Sequence, residues 1–183
     1  MKFIRGYIRL ADSIGEKTGH FFSWFTVILV AVVCFDVITR YLFNASSVAL
    51  QESEWHLFAL VFLGGAAYTL KLDEHVRIDL FYSRYSERRK AIVNFIGSIL
   101  FLIPFVLIVI ISSQNFVEMS FNMGETSPDA GGLPARYILK AFIPISFFLI
   151  LLQGVAMALK SLLGVVKPGE FPSSKPANET PKV

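Results

Sequence analysis

Three features of this chain predict an all-α membrane protein with four transmembrane helices and an N-terminal amphipathic interfacial helix. Apolar runs long enough to cross a bilayer recur four times. Lys and Arg gather at alternate ends of those runs, as the positive-inside effect requires. Only 17% of the 183 residues are charged and 54% are hydrophobic, whereas soluble domains carry about 25% charged residues. The net charge of +3 and pI near 9.0 do not point to nucleic acid, because the basic residues flank apolar segments and form no patch of their own. A single cysteine, Cys34, excludes an intrachain disulfide and any chemistry that needs paired thiols.

Residues 1–19 hold Lys2, Arg5, Arg9 and Lys17, with Phe3, Ile4, Tyr7, Ile8, Ala11 and Ile14 recurring at three and four residues. This is the pattern of a basic amphipathic helix in the membrane interface. A signal peptide fits poorly, since the following apolar run is too long for an h-region and lacks a small-x-small cleavage site. The first span covers about residues 20–43, with an uncharged body from Phe21 to Phe35. The second, about 52–72, is roughly 30 Å long at 1.5 Å per residue, enough for one crossing. It opens on Glu52-Ser53-Glu54-Trp55, contains Gly64-Gly65-Ala66-Ala67, and runs into the ionic stretch Lys71 to Asp79. The third, about 91–117, carries no charge, and Pro104 is expected to kink it. A Gly-, Pro-, Ser- and Thr-rich connection leads to the fourth, about 137–163. Residues 164–183 then read as a disordered cytoplasmic tail, too poor in apolar surface to fold. The Lys/Arg distribution places both termini and the 71–90 connection in the cytoplasm, with the other two connections outside.

Ionisable groups inside a membrane are costly, and each is a candidate for function. Asp36 and Arg40 have i, i+4 spacing. They form either part of a transport path or, more simply, a mutual pair near the interface, with Glu52 or Glu54 as further partners. Glu52 and Glu54 lie in the first turn of a helix, where the helix dipole favours negative charge. Pairing with Arg40 or with a second subunit is the structural expectation for them, and cation binding or acid–base work the functional one. His56 is the one histidine well inside a span. His20 lies at the opposite membrane side and His75 past the end of its helix, so a bis-histidine haem lacks its second ligand. Gly64 to Ala67 put small residues around a full turn, suited to close helix packing within the chain or against another subunit. Gln114, Asn115, Glu118 and Gln153 are scattered, with no broken-helix pair or inverted repeat to make them a solute site.

Several of these pieces together resemble one family. They are Arg40-Tyr41-Leu42-Phe43, Glu52-Ser53-Glu54-Trp55, Phe62-Leu63-Gly64-Gly65-Ala66-Ala67-Tyr68 and Glu74-His75-Val76-Arg77-Ile78-Asp79, followed by Gly132-Leu133-Pro134 and Ile143-Pro144-Ile145. In this order on a four-span chain they resemble the small membrane subunit (DctQ-type) of tripartite ATP-independent periplasmic (TRAP) transporters. The resemblance implies a non-enzymatic scaffold without a cofactor of its own, in a bacterial inner membrane. Its partners would be membrane lipids, a large multi-span permease subunit and a periplasmic solute-binding protein, with no nucleic acid. A carboxylate solute would be imported on a sodium gradient, with the sodium and substrate sites in the large subunit. Arg40, Glu52, Glu54, Trp55, Gly64, Gly65, His75, Arg77 and Asp79 are the structural or subunit-interface candidates, and no catalytic, substrate or metal residue is expected. A four-helix electron-transfer or cofactor-binding subunit and a self-sufficient homo-oligomeric transporter are the rival classes. Bound colour or metal would favour the first, and solute flux through the chain alone the second.

Overall fold

The computed structural model describes residues 2–72 and 85–166. Among these it contains four helices and no strand: α1 Lys2–Leu42, α2 Val48–Leu72, α3 Glu87–Asn122 and α4 Tyr137–Val166. Each is long and apolar enough to cross a membrane, so the expected all-α, four-span architecture is present. His75, Arg77 and Asp79, and the tail after Val166, lie outside the described residues.

The helices run past the apolar segments that predict them. α2 starts at Val48, four residues before Glu52, and α3 extends to both sides of the uncharged stretch. Backbone hydrogen bonding does not stop where side chains become polar, so a helix continues beyond the segment that crosses hydrocarbon. The largest departure is in α1. Residues 1–19 were expected to form a helix separate from the first span, yet Lys2–Leu42 is one uninterrupted helix of 41 residues. Its polar groups near the expected break are satisfied one turn back. Thr18 Oγ1 donates to the Ile14 carbonyl at 2.9 Å, the His20 ring nitrogen Nδ1 lies 2.8 Å from the Glu16 carbonyl, and Ser23 Oγ donates to the His20 carbonyl at 2.7 Å. At 1.5 Å per residue α1 is about 60 Å long, roughly twice the hydrocarbon thickness, so it tilts or protrudes. The stripe Ile4, Tyr7, Ile8 and Ala11 does not face a lipid interface. It packs on Ala156, Leu159 and Leu163 of α4.

α4 is the hub of the arrangement. It contacts α1, α2 and α3, while α1 and α2 form an antiparallel hairpin. α3 is antiparallel to α4, with Leu102 against Gly154, Phe105 near Phe147 and Phe121 against Tyr137. Pro104 has no N–H to continue the ladder, and the helix answers with a π-helical turn at Ser98–Leu102. The Ile103 N–H reaches back to the Ser98 carbonyl, and the wider turn leaves Leu102 lying against Gly154.

Small residues line the contacts between helices. Gly15, Gly19, Gly64 and Ala67 are buried in the α1–α2 hairpin, and Ser146, Gly154, Ala156 and Ala158 are buried on α4. Helices in lipid gain little from apolar burial alone, so fitted contacts at small residues supply the packing: Tyr68, Phe22 and Leu102 fill the space left at Gly19, Gly64 and Gly154. The turn from Gly64 to Ala67 is divided between two environments. A Cβ on Gly64 would collide with the Phe22 ring of α1, whereas one on Gly65 would enter open space. Gly64 and Ala67 thus serve packing within the chain, and Gly65 lies on the outer surface of the hairpin.

Gly64→Ala should force Phe22 out of its place and destabilise the hairpin by about 1–3 kcal/mol, as overpacked cores do. Gly65→Ala should be neutral or slightly stabilising, since the helix interior favours Ala over Gly. Thermal unfolding in detergent distinguishes the two, and equal effects would refute the assigned packing.

Candidate functional site

Among the described residues, a dense polar cluster sits where the start of α2 meets the α3–α4 connection, and Glu52 is its centre. The second turn of α2 begins near this acid, which the fold brings under the loop preceding α4. The buried carboxylate accepts three hydrogen bonds: from Ser127 Oγ at 2.6 Å, from the Leu133 backbone N–H at 2.5 Å and from Arg136 Nη2 at 2.8 Å. The Arg136 guanidinium also stands over the Trp55 ring, 5.5 Å from its centroid, a cation–π arrangement. One charged acceptor therefore orders the loop, neutralises a base and fixes the start of α4.

The loop is built to meet it. Ser127 N–H donates to the Leu133 carbonyl, the Gly132 N–H to the Asp129 carbonyl, and the Arg136 N–H to the Glu125 backbone carbonyl, all at 3.0–3.1 Å. Asp129 N–H donates to Ser127 Oγ at 3.1 Å, which leaves that hydroxyl's proton for Glu52. A Cβ on Gly132 would lie 2.8 Å from Glu52 Oε2 and would also strike Ser127, so this position needs glycine. Pro134 follows the bonded amide, and Ala135 takes a positive φ of 59° to turn the chain into α4. A second acid, Glu125, accepts from Ser120 Oγ at 2.5 Å and pairs with Lys140. Lys140 stands 4.1 Å from the Phe116 ring centroid, joining both ends of the loop to α3 and α4. The hydrogen bond from Lys140, with that from Ser120, holds the Glu125 carboxyl below its ordinary value.

Further polar pairs lie elsewhere, one within α1 and others between helices. In α1, Asp36 is buried and pairs with Arg40, the mutual pair that their spacing predicts. Between α1 and α4, Asp12 accepts from Gln153 Nε2 at 2.9 Å and from Lys160 Nζ at 2.7 Å. Tyr7 donates nearby to the Leu152 carbonyl at 3.1 Å, and Glu16 pairs with Lys71 at 2.7 Å across the α1–α2 hairpin.

Of the sequence candidates, the structure brings Glu52 and Trp55 together at Arg136 and leaves Arg40 on Asp36. The expected partner of Glu52 was Arg40 or another subunit. Its partner is Arg136, because the 124–136 loop folds back over α2 and delivers a guanidinium there. Glu54, half-buried on a different face of α2, takes no part in the cluster. His56 points its Nδ1 at the Glu52 carbonyl, 2.6 Å away, so that nitrogen carries the proton and is engaged within its own helix. Among the described residues no three His, Cys, Asp or Glu side chains gather as a metal site would need.

Ser127, Arg136, Lys140, Glu125 and Asp12 were not among the candidates. One signal could have found two of them. Arg136 and Lys140 are the sole basic residues between Lys90 and Lys160. A base beside a connection that avoids positive charge needs a carboxylate partner.

Four spans and a set of side chains spent on holding the chain's own segments together define a multi-pass membrane protein. Residues 29–164 match the family model described as Tripartite ATP-independent periplasmic transporters, DctQ component, and the chain belongs to that family of transporter components. No curated protein and no solved structure matches it.

Glu52→Ala should leave Arg136 and the Leu133 N–H without their acceptor and free the loop. The Leu133 amide is expected to exchange with solvent at least about ten-fold faster, the loss of one hydrogen bond to a charged group. Glu54→Ala should leave that rate unchanged, and a matching rise there would contradict the cluster. The loop should also respond to acid. A carboxyl held low contributes stability above its ordinary value and loses it as pH falls through the lowered one. Protection of residues 124–136, corrected for intrinsic exchange, is therefore expected to be flat near neutrality and to fall below about pH 4. The fall should be smaller in Glu125→Gln.

Proposed function

We propose that this chain is the non-catalytic scaffold subunit of a TRAP transporter in a bacterial inner membrane. It would support a large permease subunit in sodium-coupled import of a carboxylate solute that a periplasmic binding protein delivers. One observation carries this reading. Glu52, Asp36, Asp12, Glu125, Gln153 and Arg136 are each engaged in joining segments of the chain or stabilising a helix turn. Large apolar side chains such as Phe21, Trp24, Phe101, Phe105 and Ile111 meanwhile cover the outside of α1 and α3. Polar groups spent on rigidity, with broad apolar flanks, suit a part that braces another membrane protein and holds no solute itself.

The proposed orientation puts both termini in the cytoplasm. It is supported by the distribution of charge between the two ends of the bundle. Lys2, Arg5, Arg9, Lys17, Arg88 and Arg89 are all exposed at the end that carries the N-terminus, and acids outnumber bases at the other. The Glu52 cluster would then hold the periplasmic loop in the shape it presents to the permease or the binding protein.

Reconstitution tests the proposal. Proteoliposomes containing this chain and a copurifying large permease should take up solute when given sodium and binding protein, and liposomes with either membrane subunit alone should not. Flux through this chain by itself would overturn the scaffold function.

A further inference from the structure

We infer that the basic end of the bundle binds the headgroups of anionic glycerophospholipids, through a collar built from the first turns of α1 and α3. The collar does not depend on the transporter partners, because both of its parts belong to this chain.

The N-terminal half of α1 presents three arcs around its axis. Ile4, Ile8, Ala11 and Gly15 are turned to the protein, where Ile8 and Ala11 are buried on α4. Phe3 and Leu10, seven residues apart and so on one flank, are 88% and 60% exposed. Lys2, Arg5 and Arg9 occupy the remaining arc and are exposed as well. A helix whose core-facing stripe is already covered would leave Phe3 and Leu10 in water without reason. Beside three bases, their exposure fits a boundary where acyl chains meet phosphates.

α3 repeats this division at the same end. Its first turns expose Arg88 and Arg89, and one to two turns further along Ile92, Val93 and Ile96 are exposed too. Charge at the helix start with apolar surface directly beyond it is the arrangement in which long basic side chains reach headgroups while the helix body enters hydrocarbon. The two elements meet at one level. Ile4 and Ile8 pack near Leu163, close to the end of α4, and the antiparallel course of α3 carries its first turn to that same end. The acids of the opposite end, Glu118 and Asp129, are exposed there and would repel the same headgroups.

Each basic residue near an anionic membrane surface contributes attraction on the order of a five-fold change in occupancy, and several on one surface act together. An anionic lipid is thereby preferred over a zwitterionic one with identical acyl chains.

Native mass spectrometry of the full chain released from neutral detergent tests this, with phosphatidylglycerol and phosphatidylcholine of the same chain length supplied in equal amounts. Phosphatidylglycerol adducts should dominate. The triple variant K2Q/R5Q/R9Q and the double variant R88Q/R89Q should each reduce that preference by at least about five-fold. Glycerol phosphate, which has the charge but no acyl chains, should fail to displace the lipid. Equal binding of the two lipids, or a preference that survives removal of both basic groups, would overturn the proposal. Displacement by glycerol phosphate would overturn it equally, by showing an anion site with no lipid component. The two variants lie on different helices, so loss of folding in one leaves the other to decide.

Discussion

Helices in lipid have little reason to leave it for one another, since a leucine is as well solvated by acyl chains as by a neighbouring helix. This chain holds its four helices together by the two means that remain. Glycines leave room for a neighbour, for the Ala67 backbone at Gly15 and for the side chains of Tyr68, Phe22 and Leu102 at Gly19, Gly64 and Gly154, and a few polar side chains bond across the contacts. α4 depends on both, and the other three helices depend on α4. Its buried surface is a column of small residues, and Gln153, wholly enclosed at the centre of it, reaches Asp12 on α1.

The Glu52 carboxylate applies the same logic to a loop. An irregular segment of Gly, Pro and Ser near a bilayer exposes backbone groups that need partners. Here several of them bond within the loop, and the amide of Leu133 donates to Glu52. Two pieces of the family pattern acquire a physical meaning from this. Gly132-Leu133-Pro134 supplies a position with no room for a side chain, a bonded amide and a residue without a donor. Glu52-Ser53-Glu54-Trp55 supplies the acceptor and the ring beneath Arg136.

Much of the fold was legible in the sequence because the bilayer imposes a length and a polarity on each span. The Asp36–Arg40 pair was legible too, being local to one helix with i, i+4 spacing. The cluster at Glu52 was only half visible. Its acid and its tryptophan stood out near the start of an apolar run. Ser127, Leu133 and Arg136 lie 75 to 84 residues further along the chain, and no periodicity links them to it. Asp12 was hidden for a related reason. A basic amphipathic stretch reads equally well as a helix on a membrane or as one packed on protein, and which surface covers its apolar stripe is not a property of the stripe.

The sequence by itself determined the number of membrane-spanning segments, the approximate position of each apolar stretch and the family to which the chain belongs. These follow from hydrophobic length and local spacing, which any segment carries within itself. Tertiary structure alone decided that α1 is continuous and docked on α4, that Gly64 faces Phe22 while Gly65 faces outward, and that Arg136 is the partner of Glu52. Each of those outcomes depends on which helix faces which. That is set by the sum of many close contacts between residues far apart in the chain, and no single segment encodes it.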